Sequence, residues 1–222
     1  TVVTGFNPQT VTNASGQAVT ATTVLAYYVP PNALGVVFLL HDTGGAVADW
    51  FNNPEQALFL RDLVAAGYGV AALNNVNRTT GAWSAQTTLA NNLDALNVAA
   101  AIDKFMREGA ITATTPVFLL GVGSGADAAA SYGELLVTTA PARPIKGIVL
   151  YLAAGNQTLA VTSHVPQFFA LAANDDVIGT AGNTAARANS QLFVGRGVAS
   201  TLTNNSPSPL YANRLRALGA TS

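Results

Sequence analysis

The chain has 222 residues, half of them apolar and none of them cysteine, so it can bury a core without a disulfide staple. Charged residues make up 9% of the chain, and ten Lys/Arg against eleven Asp/Glu leave a net charge of −1. That balance excludes nucleic-acid binding through a basic face and steering toward an anionic membrane. The apolar run Val36 to Leu40, like every other in the chain, falls far short of the ~20 residues of a membrane span.

Thr, Asn, Ser and Gln fill the surface in place of charge. Secreted proteins and subunits that bury their surface in an assembly share that profile. Together with a first residue Thr1 and no leading Met, it predicts an extracellular chain that has lost a signal segment or begins further upstream. The N-x-S/T triplets at Asn13, Asn77, Asn156 and Asn204 are what chance supplies in a chain this rich in Asn and Thr.

In chain order, Ala18 to Val29 alternates, with Val19, Ala21, Leu25, Tyr27 and Val29 on one face and a turn at Asn13–Gly16 before it. This is the pattern of an opening hairpin, stopped by Pro30–Pro31–Asn32. Leu34 to Leu40 is a continuous apolar run, the mark of a strand covered on both faces. Asn53–Pro54–Glu55 supplies a cap, a first-turn proline and a first-turn acid, which predicts a helix over Pro54–Ala66. Tyr68 to Leu73 is the next strand. Leu89, Leu93, Leu96, Ala100 and Phe105 mark a long helix that ends near Gly109.

Pro116 to Leu120 is a third buried strand, followed by Gly121–Val122–Gly123–Ser124–Gly125 and an alanine-rich helix. Ile145–Leu152 and Gln167–Ala172 are further strands, with a helix near Thr184–Phe193 beyond them. Strands alternating with helices predict an α/β fold of one domain over 1–222, with a mostly parallel sheet, antiparallel N-terminal strands and helices on both faces. Ligand sites in such sheets lie at the carboxyl ends of the strands.

The strand ends carry His41–Asp42–Thr43–Gly44–Gly45, Gly121–Val122–Gly123–Ser124–Gly125 and Asn174–Asp175–Asp176. In that order and spacing they resemble the α/β-hydrolase family, and within it bacterial secreted esterases and polyester depolymerases. The Asp49–Trp50–Phe51 and Asn205–Ser206–Pro207–Ser208–Pro209–Leu210–Tyr211 stretches strengthen the resemblance, which runs from about Val29 to Tyr211. It implies a three-layer α/β sandwich. It also implies a glycine loop supplying oxyanion-hole amides (His41, Asp42, Gly44, Gly45), a Gly-x-Ser-x-Gly elbow, and an acid after a late strand at Asp175 or Asp176.

The pattern departs from the family at the reactive positions. Gly123 stands where the nucleophile belongs, and Ser124 is one residue late; its favoured reading is a small residue at the strand–helix turn that helps cap the helix. The family order places a His after the acid, whereas both histidines, His41 and His164, precede Asp175. Each is read as structural, His41 as the residue that orders the glycine loop. Asp42 replaces a glycine and puts a carboxylate beside the place where an oxyanion would develop, which is electrostatically unhelpful. Without a histidine to orient, Asp175 and Asp176 read as polar loop residues.

Loss of the nucleophile or the base of a serine triad typically lowers turnover about 10⁶-fold. The missing histidine could lie beyond Ser222 if the chain is truncated there. A dinucleotide-binding turn at Gly121–Gly125 is disfavoured because Ala126 stands where a third glycine belongs, and no metal or cofactor is expected.

These departures and the uncharged composition predict a catalytically inactive homologue with a structural role, a self-associating subunit of an extracellular filament or surface layer. Its N-terminal segment Thr1–Val29 would either form strands of its own sheet, the favoured reading, or augment a neighbour's sheet edge. The alternatives are a secreted serine esterase or depolymerase using Ser124, and a module that binds an ester, a lipid or a glycan in the vacant crevice.

Overall fold

The computed structural model describes residues 1–12, 17–139, 141, 143–174 and 177–206. Its strands are β1 (Val2–Thr12), β2 (Ala18–Tyr28), β3 (Val36–Leu40), β4 (Gly69–Leu73), β5 (Val117–Val122), β6 (Ile145–Tyr151), β7 (Gln167–Ala172) and β8 (Ser200–Asn205). Its helices are α1 (Asp49–Asn52), α2 (Pro54–Ala65), α3 (Leu93–Arg107), α4 (Ser124–Thr139), α5 (Gln157–Thr162) and α6 (Gly179–Gly195). The strands form one sheet in the order β1-β2-β4-β3-β5-β6-β7-β8. β1 and β2 run antiparallel to each other and β2 antiparallel to β4, while β4 through β8 are parallel.

The N-terminal segment therefore spends its backbone hydrogen bonds on its own sheet, with Val2 opposite Ala26 and Thr12 opposite Ala18. The predicted turn at Asn13–Gly16 lies outside the described residues.

Every residue of β3 and β4 is buried, as continuous apolar runs require when helices cover both faces of a strand. On one face, α3 and α4 pack Phe105, Ile102, Tyr132 and Leu136 against Phe38, Leu119 and Ile148, and α6 adds Phe193. On the other, α1 and α2 bring Trp50 and Leu60 against Val37, Leu39, Val70 and Leu120. Local chemistry sets where the helices begin. The Asn53 side chain accepts the N–H of Glu55 at 3.1 Å ahead of Pro54, and Asn92 accepts that of Ala95 at 2.9 Å ahead of α3.

The structure differs from the sequence reading at several ends. Helix α3 starts at Leu93, because Leu89–Asn91 forms a separate 3₁₀ turn stopped by the Asn92 cap. Strand β5 continues two residues past Leu120, so the glycine run begins inside the sheet. The short helices α1 and α5 and the edge strand β8, whose sequence Ser-Thr-Leu-Thr-Asn-Asn lacks an apolar run, had no periodic signal. No helix among the described residues is long and apolar enough to cross a membrane.

Candidate active site

Strands β3 and β5 are neighbours with Leu40 opposite Gly121, so their carboxyl ends bring His41–Gly45 beside Val122–Gly125. The turn between β5 and α4 is tight. A Cβ on Gly121 would overlap the Gly125 backbone, and a Cβ on Gly125 would overlap the carbonyl oxygens of Leu40 and His41. Gly123 stands at the apex with φ +54°, in the left-handed region. The strand–turn–helix elbow is thus formed, with no side chain at its apex.

The Asp42 carboxylate fills that space. A Cβ on Gly123 would lie 2.5 Å from Asp42 Cγ and 2.7 Å from its Oδ2. The Oδ1 oxygen accepts two backbone N–H groups, that of Thr43 at 2.7 Å and that of Ser124 at 2.8 Å. One N–H comes from the loop after β3 and the other from the residue after the elbow apex, the two amides that form an oxyanion hole in this architecture. A carboxylate oxygen of the chain occupies the point on which both converge. The Ser124 side chain turns toward the loop, where its Oγ accepts the Thr43 hydroxyl at 2.7 Å.

Residues far apart in sequence hold the loop. His41 is buried; its Nδ1–H donates to the Asp42 carbonyl at 2.7 Å, and its Nε2 faces the Arg78 guanidinium at 3.4 Å. Because arginine offers only donors, Nε2 is the unprotonated nitrogen and the ring is neutral. Burial lowers the His41 pKa below its usual 6.5, and Arg78 acts in the same direction against the bond to the Asp42 carbonyl. Arg78 also donates to the Gly45 carbonyl at 2.8 Å and to the Asn75 side chain. Trp83 packs on the His41 ring with centroids 4.7 Å apart and donates its indole N–H to the His41 carbonyl at 2.7 Å. Asp49 accepts the N–H of Ala46, and Asn74 that of Val47, each at 2.7 Å.

The segment carrying Arg78 and Trp83 is itself pinned from the core. Buried Asp94, in the first turn of α3, accepts the N–H of Val76 at 2.7 Å through one oxygen and that of Ser84 at 2.8 Å through the other. Tyr132 of α4 donates to the Ser84 carbonyl at 3.0 Å and meets Trp83 edge-on. Burial raises the Asp94 carboxyl above its usual range, and the two N–H bonds act against the rise; burial likewise raises the Tyr132 phenol.

Among the residues singled out in the sequence, the structure brings His41, Asp42, Gly44, Gly45, Gly123 and Ser124 together. His164 is exposed before β7, at the opposite end of the sheet. Asp175 and Asp176 lie outside the described residues, as does Pro207–Tyr211. Arg78, Trp83, Asp94 and Tyr132 carried no sequence signal for this role. The first two sit in an aperiodic polar loop, and the others read as a first-turn acid and a helical aromatic.

A scan of protein-family models and a search of curated proteins matched nothing. Solved structures do match. A ferulic acid esterase superposes with a TM-score of 0.61 at 11% identity, over 98% of this chain and 95% of that one. A sugar hydrolase from Lactococcus lactis gives 0.58 at 18% identity, over 96% and 92%. A thermostable esterase gives 0.53 at 14% identity over 92% of this chain, which spans 55% of the esterase's length.

These neighbours overturn the expectation of an inactive structural subunit of a filament or surface layer. The folds that the chain resembles are those of esterases and hydrolases, and nothing points to self-assembly. Composition misled because a polar, uncharged surface is compatible with many roles, while the strand-forming N-terminal segment is paired within its own sheet. The mixed sheet, the formed elbow and these superpositions give the chain the α/β-hydrolase fold.

Proposed function

We propose that the chain acts on carboxylic esters, with the acyl oxygen seated between the N–H groups of Thr43 and Ser124 and the Ser124 hydroxyl as nucleophile. The observation that carries this reading is the convergence of those two amides on a single anionic oxygen, at 2.7 and 2.8 Å. Donors at that distance, fixed before any ligand arrives, suit the charge that develops on an acyl oxygen under attack. A serine whose own N–H belongs to the hole is a workable geometry, since serine proteases of the chymotrypsin type use it.

In this reading Ser124 Oγ bonds to the acyl carbon and the electron pair of the carbonyl moves onto the oxygen between the amides. When the tetrahedral species collapses, the bond to the alkoxy group breaks and the alcohol leaves with the proton that the serine gave up. Water then releases the acid by the same steps. The acyl oxygen displaces the Asp42 carboxylate from the two amides, and this reading assigns that displaced carboxylate the proton of the Ser124 hydroxyl. General-base help of this kind is worth about 10²–10⁴-fold.

A second reading, ester binding without turnover, is favoured by the bare apex at Gly123. Hydrolysis of p-nitrophenyl acetate and butyrate by the wild type and Ser124→Ala separates the two. Turnover that vanishes in Ser124→Ala supports the nucleophile; equal turnover in both removes it. Esters that raise the melting temperature without being cleaved establish the second reading.

A further inference from the structure

We propose that Asp42 is the resting occupant of the acyl-oxygen site and gates what enters it. The inference rests on the reading of the Thr43 and Ser124 amides as that site. Both amides donate to the same Asp42 oxygen, so a ligand oxygen reaches them only when the carboxylate leaves. The backbone of the loop is clamped by Arg78, Trp83, Asn74 and Asp49. Departure is therefore a rotation of the Asp42 side chain and leaves the backbone where it is. The residue is exposed, and no cation pairs with it among the described residues. Water can solvate the carboxylate once it swings out, while the two amides stay in place to receive another acceptor.

The same space also excludes a side chain at the apex, since a Cβ on Gly123 overlaps the carboxylate. Asp42 thus competes with a ligand twice, by filling the amide pair and by leaving a negative charge at its edge. A neutral ester carbonyl meets the first obstacle; an anionic carboxylate meets both. The gate favours neutral acyl groups over free acids, and so over the acid product of ester hydrolysis.

The test is titration of the wild type, Asp42→Asn and Asp42→Gly with benzoate, followed by the backbone N–H resonances of Thr43 and Ser124. Binding to Asp42→Gly is expected to be at least about tenfold tighter than to the wild type, with both resonances moving together. Asp42→Asn, which keeps an acceptor oxygen and loses the charge, falls between them. Equal affinity in the wild type and Asp42→Gly, or binding that leaves those two resonances unmoved, overturns the gate. Should Asp42→Gly fail to fold, Asp42→Asn decides alone, and an affinity no tighter than the wild type's overturns the proposal. Benzoate binding needs no turnover. Ester hydrolysis that survives Ser124→Ala therefore removes the nucleophile without touching the gate, and the converse holds.

Discussion

Asp42 and Gly123 occupy one volume between them: the carboxylate of the first stands where any side chain on the second would begin. The two departures from the hydrolase pattern, read separately in the sequence, are a single exchange in space. The missing side chain at the elbow apex makes room for the carboxylate that takes both amides.

That exchange predicts non-additive mutants. Gly123→Ser places a side chain at φ +54° and against Asp42, and is expected to lower stability by about 2–4 kcal/mol. In the background of Asp42→Gly the overlap is gone and only the backbone strain remains, about 1 kcal/mol. Urea unfolding of the wild type, both single variants and the double variant gives the coupling. Strict additivity shows that the two residues do not share the space.

The elbow glycines tolerate less. Gly121→Ala drives a methyl group into the Gly125 backbone, and Gly125→Ala drives one into two carbonyl oxygens. No flexible side chain can yield at either place, so each substitution is expected to cost about 4 kcal/mol or more, or to prevent folding. Near-wild-type melting of either variant contradicts the close approach.

Asp94 is the anchor between the core and the loops around the site. Asp94→Asn leaves one of its two N–H partners, Val76 or Ser84, facing an amide donor in a buried position. The expected loss is about 2–4 kcal/mol. Faster amide exchange at 76–84, and behind it at 43–46, is the accompanying sign, and exchange confined to α3 argues against the relay.

Two buried groups give the pH profile opposite slopes. His41 has a lowered pKa in the fold, so below its usual 6.5 the unfolded chain binds the proton more readily. Stability is full above that pH and falls as pH drops from 6.5 toward the lowered folded value. Asp94 has a raised pKa, so above its usual 3.8 the folded chain holds the proton longer, and stability falls as pH rises through that window. His41→Asn is expected to flatten the fall in stability below pH 6.5, and Asp94→Asn the fall that begins above pH 3.8. Denaturant titrations across pH read both slopes, and an unchanged profile in His41→Asn rules out its part.

Much of the architecture was written in local chemistry. The continuous apolar runs 36–40 and 69–73 determine strands buried on both faces, because a run without polar residues has no side to turn to water. Asn53–Pro54 and Asn92 set helix starts through bonds made within three residues. The glycines at 121 and 125 announced the elbow, and the order of the motifs announced the fold. The edge strand β8 was invisible because a half-exposed polar strand has no apolar run of its own and is defined by pairing with β7.

The site was legible as a set of residues and illegible as an arrangement. Sequence placed His41, Asp42 and Ser124 at strand ends, and it judged Asp42 by its charge alone, as an obstacle beside an oxyanion. Only the tertiary structure could show that one oxygen of that carboxylate takes the N–H groups of Thr43 and Ser124. It alone could show that Arg78, Trp83 and Asp94 hold the loop. The physical reason is range. Periodicity and caps report interactions within a few residues. The bonds from Arg78 to Gly45, from Trp83 to His41 and from Ser124 to Asp42 join positions 33, 42 and 82 residues apart. Such pairings exist only after the parallel sheet has set β3 beside β5.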